Sequence, residues 1–214
     1  VSGRDDAGLR ARIALIVITD PDCGTGRNLI EVVNAALAAG APAIQLRDKN
    51  AGSRDLLDLA RRLREETTRA GALLFMNDRV DVAIAAGADG AHLGDDDLPI
   101  EAARRITPPG FILGSSVDSD SEAQAAQRAG ADYLGVGPIY RTYTKGDAGD
   151  AVGPERIAEI SVAVDLPVIG IGGIEAANAH AVIRAGGAGV AVVSAIMRAR
   201  DPAAATGELL AAMR

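Results

Sequence analysis

Short apolar runs follow one another along the chain, separated by longer amphipathic stretches, and five of the junctions share one spelling. AGAPAIQL begins at residue 39, AGALLFMN at 70, AGADGAHLG at 86, AGADYLGVG at 129 and AGGAGVAVV at 185. The stretches before these glycines, such as NLIEVVNAALAAG and SEAQAAQRAG, carry apolar residues at helical spacing, while the runs after them are short and rich in Val, Ile and Leu. A glycine at such a junction reads as the left-handed residue that ends a helix just before a strand begins. Helix and strand therefore alternate.

Three further runs, ALIVITD near residue 14, GFILGSS near 110 and LPVIGIGG near 166, bring the total to about eight strands, most followed by a helical segment. Alternating βα units demand a parallel sheet, and eight of them in 214 residues predict a closed (β/α)8 TIM barrel, one catalytic domain over residues 13–214. An open doubly wound sheet is the alternative. The barrel is favoured because no G-x-G-x-x-G opens a helix early in the chain. Residues 1–12, VSGRDDAGLRAR, read as a flexible N-terminal extension.

Composition narrows the picture. The chain is 48% hydrophobic with only 2% aromatics and no tryptophan, so its core must be built from Ala, Val, Ile and Leu, as in strands covered by helices on both faces. A net charge of −7 argues against nucleic acid or an anionic membrane as the main partner. The single cysteine, Cys23, makes no internal disulfide, no run reaches the ~18 apolar residues of a membrane span, and the start lacks a signal peptide's apolar centre. These features point to a cytoplasmic protein.

In such a barrel the chemistry belongs at the C-terminal ends of the strands. Reading only those positions yields Gln45, Arg47 and Lys49 after strand two, Asn77 and Asp78 after three, Asp95 to Asp97 after four, and Ser115 and Ser116 after five. Strand six opens into GPIYRTYTKGDAG, a long polar loop carrying Thr142, Thr144 and Lys145; Gly172 and Gly173 follow strand seven, and Ser194 follows strand eight. Arg47, Lys49 and Lys145 supply positive charge, and Asp78 and Asp97 supply oxygen ligands for a hard cation. Magnesium commonly takes one or two carboxylates plus substrate phosphates, so the combination suits a pyrophosphate held by cations and metal together.

Each element also has a plainer reading. Arg47 and Lys49 suit a solvated surface, Asn77 or Asp78 suits a helix cap, and DDDLP suits the start of a helix whose dipole favours acidic residues. Ser119 and Glu122 have capping-box spacing, which leaves Asp118 and Asp120 outside the chemistry. The glycines of GIGGI suit tight turns as well as a close approach of backbone to phosphate, with Ser194 opening the neighbouring turn. Cys23 has no evident base beside it, His180 lies within a helix, and His92, without a partner in AHLG, reads as a packing residue or one that acts behind the site. Neither a Cys–His nor a Ser–His pair is evident.

Taken in order, IQLRDK, FMNDRVD, GADGAHLGDDDLP, GSS, GADYLGVGPIYRTYTKGD, PVIGIGGI and GVAVVSAI resemble the thiamine phosphate synthase family from about residue 18 to 194. IQLRDK and GPIYRTYTK are the specific motifs. The resemblance implies a transferase that joins hydroxymethylpyrimidine pyrophosphate to thiazole phosphate, giving thiamine phosphate and pyrophosphate, with Mg2+ as cofactor. It implies that Gln45 binds the aminopyrimidine, that Arg47, Lys49, Asn77 and Lys145 bind pyrophosphate, and that Asp78 and Asp97 are metal ligands. Ser116 would contact the pyrophosphate or pyrimidine, and Thr142, Thr144, Gly173, Val193 and Ser194 would hold the thiazole phosphate. The implied mechanism is dissociative and uses no protein nucleophile. The chain departs from the family in lacking an aromatic residue in ALIVITD, in Asp95 and Asp96 where Gln-Glu is common, and in Asp118 where His or a neutral residue is frequent. A thiazole tautomerase of the same fold and a non-catalytic regulator that binds thiamine phosphate are the competing functions.

Overall fold

The computed structural model describes residues 6–21, 26–142 and 149–214. Eight parallel strands, β1 (Leu15–Ile18), β2 (Ala43–Leu46), β3 (Leu73–Asn77), β4 (Gly90–Leu93), β5 (Ile112–Ser116), β6 (Tyr133–Val136), β7 (Val168–Ile171) and β8 (Gly189–Val192), pair in chain order, and β8 closes on β1. The closure excludes the open sheet. Helices α2 (Leu29–Ala38), α3 (Ser53–Ala70), α4 (Val80–Ala86), α5 (Ile100–Ile106), α6 (Asp120–Ala129), α7 (Glu155–Ala163) and α8 (Ala176–Arg184) connect successive strands, and α9 (Ser194–Met197) and α10 (Pro202–Ala212) follow the last.

All five junction glycines adopt the left-handed conformation expected of them. Gly71, Gly87 and Gly130 are the C-caps of α3, α4 and α6 at φ of 70°, 67° and 98°, and Gly40 and Gly186 take 95° and 96° one residue beyond the caps of α2 and α8. Two of these junctions, GAD at 87 and at 130, add a carboxylate clamp. Asp89 accepts from the Leu74 amide and from Arg64, and Asp132 accepts from the Leu113 amide and from Arg104, so each ties an incoming strand to its neighbour and to the helix that precedes that neighbour.

The segment read as an N-terminal extension is helical from Asp6 onward. α1 (Asp6–Arg12) packs Leu9 against the barrel interior beside Ile13, and residues 1–5 lie outside the described residues.

Strand side chains alternate between two apolar layers, as the period of two dictates. Leu15, Val17, Ile44, Leu46, Leu74, Met76 and Val190 point outward against the helices. Ile16, Ile18, Leu73, Phe75, Tyr133, Ile169 and Ala191 fill the barrel itself. The same parity carries Gln45, Asn77, His92 and Ser116 to the inside near the C-terminal ends of their strands, above that apolar floor.

Small residues make room for the few rings present. Phe75 and Tyr133 meet edge to face at 5.6 Å between ring centroids. A Cβ on Gly114 would lie 2.2 Å from Tyr133 Cζ and 2.5 Å from His92 Nδ1. Gly114→Ala is therefore expected to destabilise the fold by about 1–3 kcal/mol through overpacking, measured as a lower urea midpoint at unchanged slope.

Candidate active site

A cavity of about 550 Å³ opens at the C-terminal rim, floored by Ile18, Ile169, Ile171 and Ala191. Gln45, Arg47, Asn77 and Ser116 line it from the arc β2 to β5, and Thr142, Gly173, Val193 and Ser194 line it from the arc β6 to β8. Eight residues selected from the sequence thus face one space. Thr144 and Lys145 lie outside the described residues, as does Cys23.

Backbone contacts explain how the β2 end is held. The buried Thr19 hydroxyl donates to the Arg47 carbonyl at 3.0 Å and accepts from the Arg47 amide at 2.9 Å, while the Thr19 amide donates to the Gln45 carbonyl. This double bond fixes the backbone from which the Arg47 guanidinium departs. Among the described residues no carboxylate lies within ion-pair distance of it.

Lys49, Asp78 and Asp97 form a second group on the same rim. Lys49 Nζ lies 3.9 Å from Asp78 Oδ2, and Asp97, near enough for its charge to act on Asp78, accepts through Oδ2 from the Gly94 amide at 2.7 Å. Neither aspartate caps a helix: α4 has Arg79 at its N-cap and α5 has Pro99, both without a side-chain capping bond. Asp78 sits at φ 62°, a left-handed conformation rare for a side chain other than Gly, Asn or Asp. Burial, and then the hydrogen bond to and the charge of Asp97, push the Asp78 carboxyl up to about 6, against the opposing pull of Lys49 and Arg47.

Two neighbouring carboxylates whose charges oppose each other fit a hard divalent cation, which would relieve their repulsion. Among the described residues no cluster of three or more His, Cys, Asp or Glu side chains suits a metal. An ion here would therefore take the pair plus oxygens of a bound ligand, which is magnesium's habit.

His92 is the residue that sequence reasoning undervalued. It lines the cavity, and both ring nitrogens have partners: Nδ1 lies 3.0 Å from the Tyr133 hydroxyl and Nε2 lies 3.1 Å from Ser116 Oγ. The reading that His92 lacks a partner, and the reading that the site has no Ser–His pair, are both overturned. The partners come from strands 24 and 41 residues away in sequence, so local inspection could not find them. Strand parity was the available signal, because Gly90 and His92 share the inward face with Asn77 and Ser116. Burial lowers the His92 pKa to about 4 against the opposing charge of Asp97, so the ring is neutral near pH 7. Burial likewise raises the Tyr133 phenol above its ordinary range.

Asp95, Asp96 and Asp118 also line the cavity. Ser119 does cap α6 by accepting from the Glu122 amide, and the Glu122 carboxylate accepts from the Asp118 amide, so the capping reading holds even though Asp118 faces the site. On the opposite arc, Gly173 permits a close approach: a Cβ there would lie 2.7 Å from the Arg141 carbonyl oxygen and 2.8 Å from that of Tyr140. The loop after β6 is pinned to β7 by Ile139 and Tyr140 amides donating to Ile171 and Gly172 carbonyls, and Val152 and Gly153, ahead of α7, are pinned by their amides donating to the Pro138 and Ile139 carbonyls. The base of the long polar loop is thus part of the barrel rim.

The sequence pattern of the thiamine monophosphate synthase family matches residues 15–196. The chain is 52% identical over 195 residues to the thiamine-phosphate synthase of Methanoculleus marisnigri, covering 91% of this chain and 92% of that one. It is 52% identical over 193 residues to that of Roseiflexus castenholzii, covering 90% and 85%. The solved structure of thiamine phosphate pyrophosphorylase from Pyrococcus furiosus superposes with a TM-score of 0.88 at 44% identity, over 96% of this chain and 97% of that one.

Proposed function

The chain belongs to the thiamine monophosphate synthase family, transferases of thiamine biosynthesis, and on that premise we propose that it condenses hydroxymethylpyrimidine pyrophosphate with thiazole phosphate. The observation that carries the proposal is the cavity of about 550 Å³ with two polar walls. One wall offers Gln45, Arg47, Asn77 and Ser116 to a pyrimidine and its pyrophosphate. The other offers Thr142, Gly173, Val193 and Ser194 to a phosphate on a second substrate. Lys49 joins the first group from the rim, and Thr144 and Lys145, by their place in the family motif, complete the phosphate contacts.

In the reaction the bond between the pyrimidine's methylene carbon and the pyrophosphate oxygen breaks, the electron pair leaving with pyrophosphate. The thiazole nitrogen then gives its lone pair to that carbon, and the new C–N bond completes thiamine phosphate. Mg2+, held by Asp78 and Asp97, would neutralise charge on the departing pyrophosphate. Arg47 and Lys49 supply preorganised positive charge to the same group, and Gln45 orients the ring whose electrons stabilise the methylene cation. The apolar floor of Ile18, Ile169 and Ile171 keeps water from below the reacting carbon.

The test is pyrophosphate release, measured with each substrate alone and with both, in the presence and absence of Mg2+. Release is expected only with both substrates and Mg2+. Equal release with the pyrimidine substrate alone would identify a pyrophosphatase, and tight thiamine phosphate binding without turnover would identify a regulator.

A further inference from the structure

We infer that Tyr133 and His92 form a one-way hydrogen-bond wire that holds Ser116 as a donor to the substrate, so that Ser116 acts as a hydrogen-bonding group and not as a nucleophile. The inference rests on the proposed synthase reading only for the identity of the ligand that Ser116 meets. Its polarity follows from the buried end. The Tyr133 side chain is fully buried, and its hydroxyl has one described neighbour within hydrogen-bond reach, His92 Nδ1 at 3.0 Å.

A buried phenol hydrogen without an acceptor is costly, and the cost is avoided only if Tyr133 donates and Nδ1 accepts. The neutral imidazole carries a single ring proton, which then sits on Nε2 and points at Ser116 Oγ, 3.1 Å away. An imidazolium would donate from Nδ1–H to the phenol oxygen, leave the phenol hydrogen without a described acceptor, and is disfavoured on the same ground. With its oxygen already accepting from His92, the Ser116 hydroxyl is turned to donate outward, into the cavity that both residues line.

The arrangement is the reverse of a Ser–His–Asp triad. There the third group accepts from Nδ1–H and leaves Nε2 free to take the serine proton. Here the third group is a donor, so Nε2 arrives already protonated and cannot act as a base toward Ser116. A Ser–His pair at hydrogen-bond distance is thereby converted into a fixed dipole aimed at an anionic ligand. Gly114 and Gly135 make the wire sterically feasible, since a Cβ on either would lie within 3.0 Å of the His92 ring. Tyr133 and His92 are positioning residues, and Ser116 is the group that touches substrate.

The wire is tested first in the ligand-free protein by ¹⁵N NMR of the two histidines, His92 and His180, assigned with His180→Gln on the outer face of α8. His92 is expected as the Nε2–H tautomer, and an Nδ1–H tautomer would overturn the inference. Tyr133→Phe removes the only described donor to Nδ1, so the bond that favours the Nε2–H tautomer is lost and its population is expected to fall, with kcat falling on the order of fivefold to tenfold as Ser116 is no longer held as a donor. In a Ser116→Ala background the same Tyr133→Phe change is expected to have no further effect on kcat. An equal loss in both backgrounds would reduce Tyr133 to a packing role and overturn the inference. If Tyr133→Phe does not fold, the wild-type tautomer still decides. Absence of synthase turnover in the wild-type protein would count against the proposed reaction and leave the tautomer result standing.

Discussion

Arg47→Ala is expected to lower kcat by about 10² to 10³, the loss seen when one preorganised charge-stabilising contact is removed from an enzyme site. The structural basis is the unusual care with which the residue is held. Thr19 binds both the carbonyl and the amide of Arg47, and its own amide extends the ladder to Gln45, so the departure point of the side chain is fixed to the rim of β1. No described carboxylate lies within ion-pair distance of the guanidinium, which leaves its planar fork to a ligand in the cavity. The melting temperature is expected to change little, because the side chain is half-buried, carries no described ion pair, and its backbone contacts survive the substitution. Arg47→Lys tests the planar fork separately: a point charge on a flexible stem should restore only part of the loss. Wild-type kcat in Arg47→Ala would move this residue to the solvated surface that its sequence context equally allows.

The barrel was legible because it is written locally. Each of the five AGA or AGG junctions carries its own left-handed glycine and its own apolar strand, and with the three further runs the eight strands leave little topological choice. The cavity walls were legible for a related reason: Gln45, Asn77 and Ser116 stand at strand ends, and parity alone turns them inward. What the sequence did not reveal depends on contacts between strands. Nothing near His92 indicates Tyr133 or Ser116, because the wire exists only once β4, β5 and β6 are in register and Gly114 and Gly135 have left space for the rings. The pairing of Asp78 with Asp97 was equally hidden. Asp78 stands in a left-handed turn just past β3, a local geometry that strand parity does not predict. The family resemblance supplied that pair in advance, whereas spacing alone left capping as the better account.

Asp78→Asn and Asp97→Asn test metal binding by activity and stability together. If the pair holds Mg2+, each variant should lose most synthase activity and regain part of it at raised Mg2+, since one carboxylate and the substrate oxygens remain. The stability signature has a definite sign. The Asp78 carboxyl titrates near 6 in the folded protein, against an ordinary value of 3.8, so the folded state binds this proton more tightly than the unfolded chain does. Its contribution to stability is therefore unfavourable above pH ~7, shrinks as pH falls through 6, and vanishes below the unfolded value. The penalty at pH 8 is on the order of 1–3 kcal/mol. Asn carries no charge, tolerates the left-handed conformation at position 78 and keeps an oxygen acceptor, so Asp78→Asn should be more stable than wild type at pH 8 in metal-free buffer. That advantage should disappear near pH 4, and saturating Mg2+ should erase it from the wild-type side by removing the repulsion. Two folded variants with wild-type activity, unchanged Mg2+ dependence and no such difference in their pH profiles would sink the metal assignment.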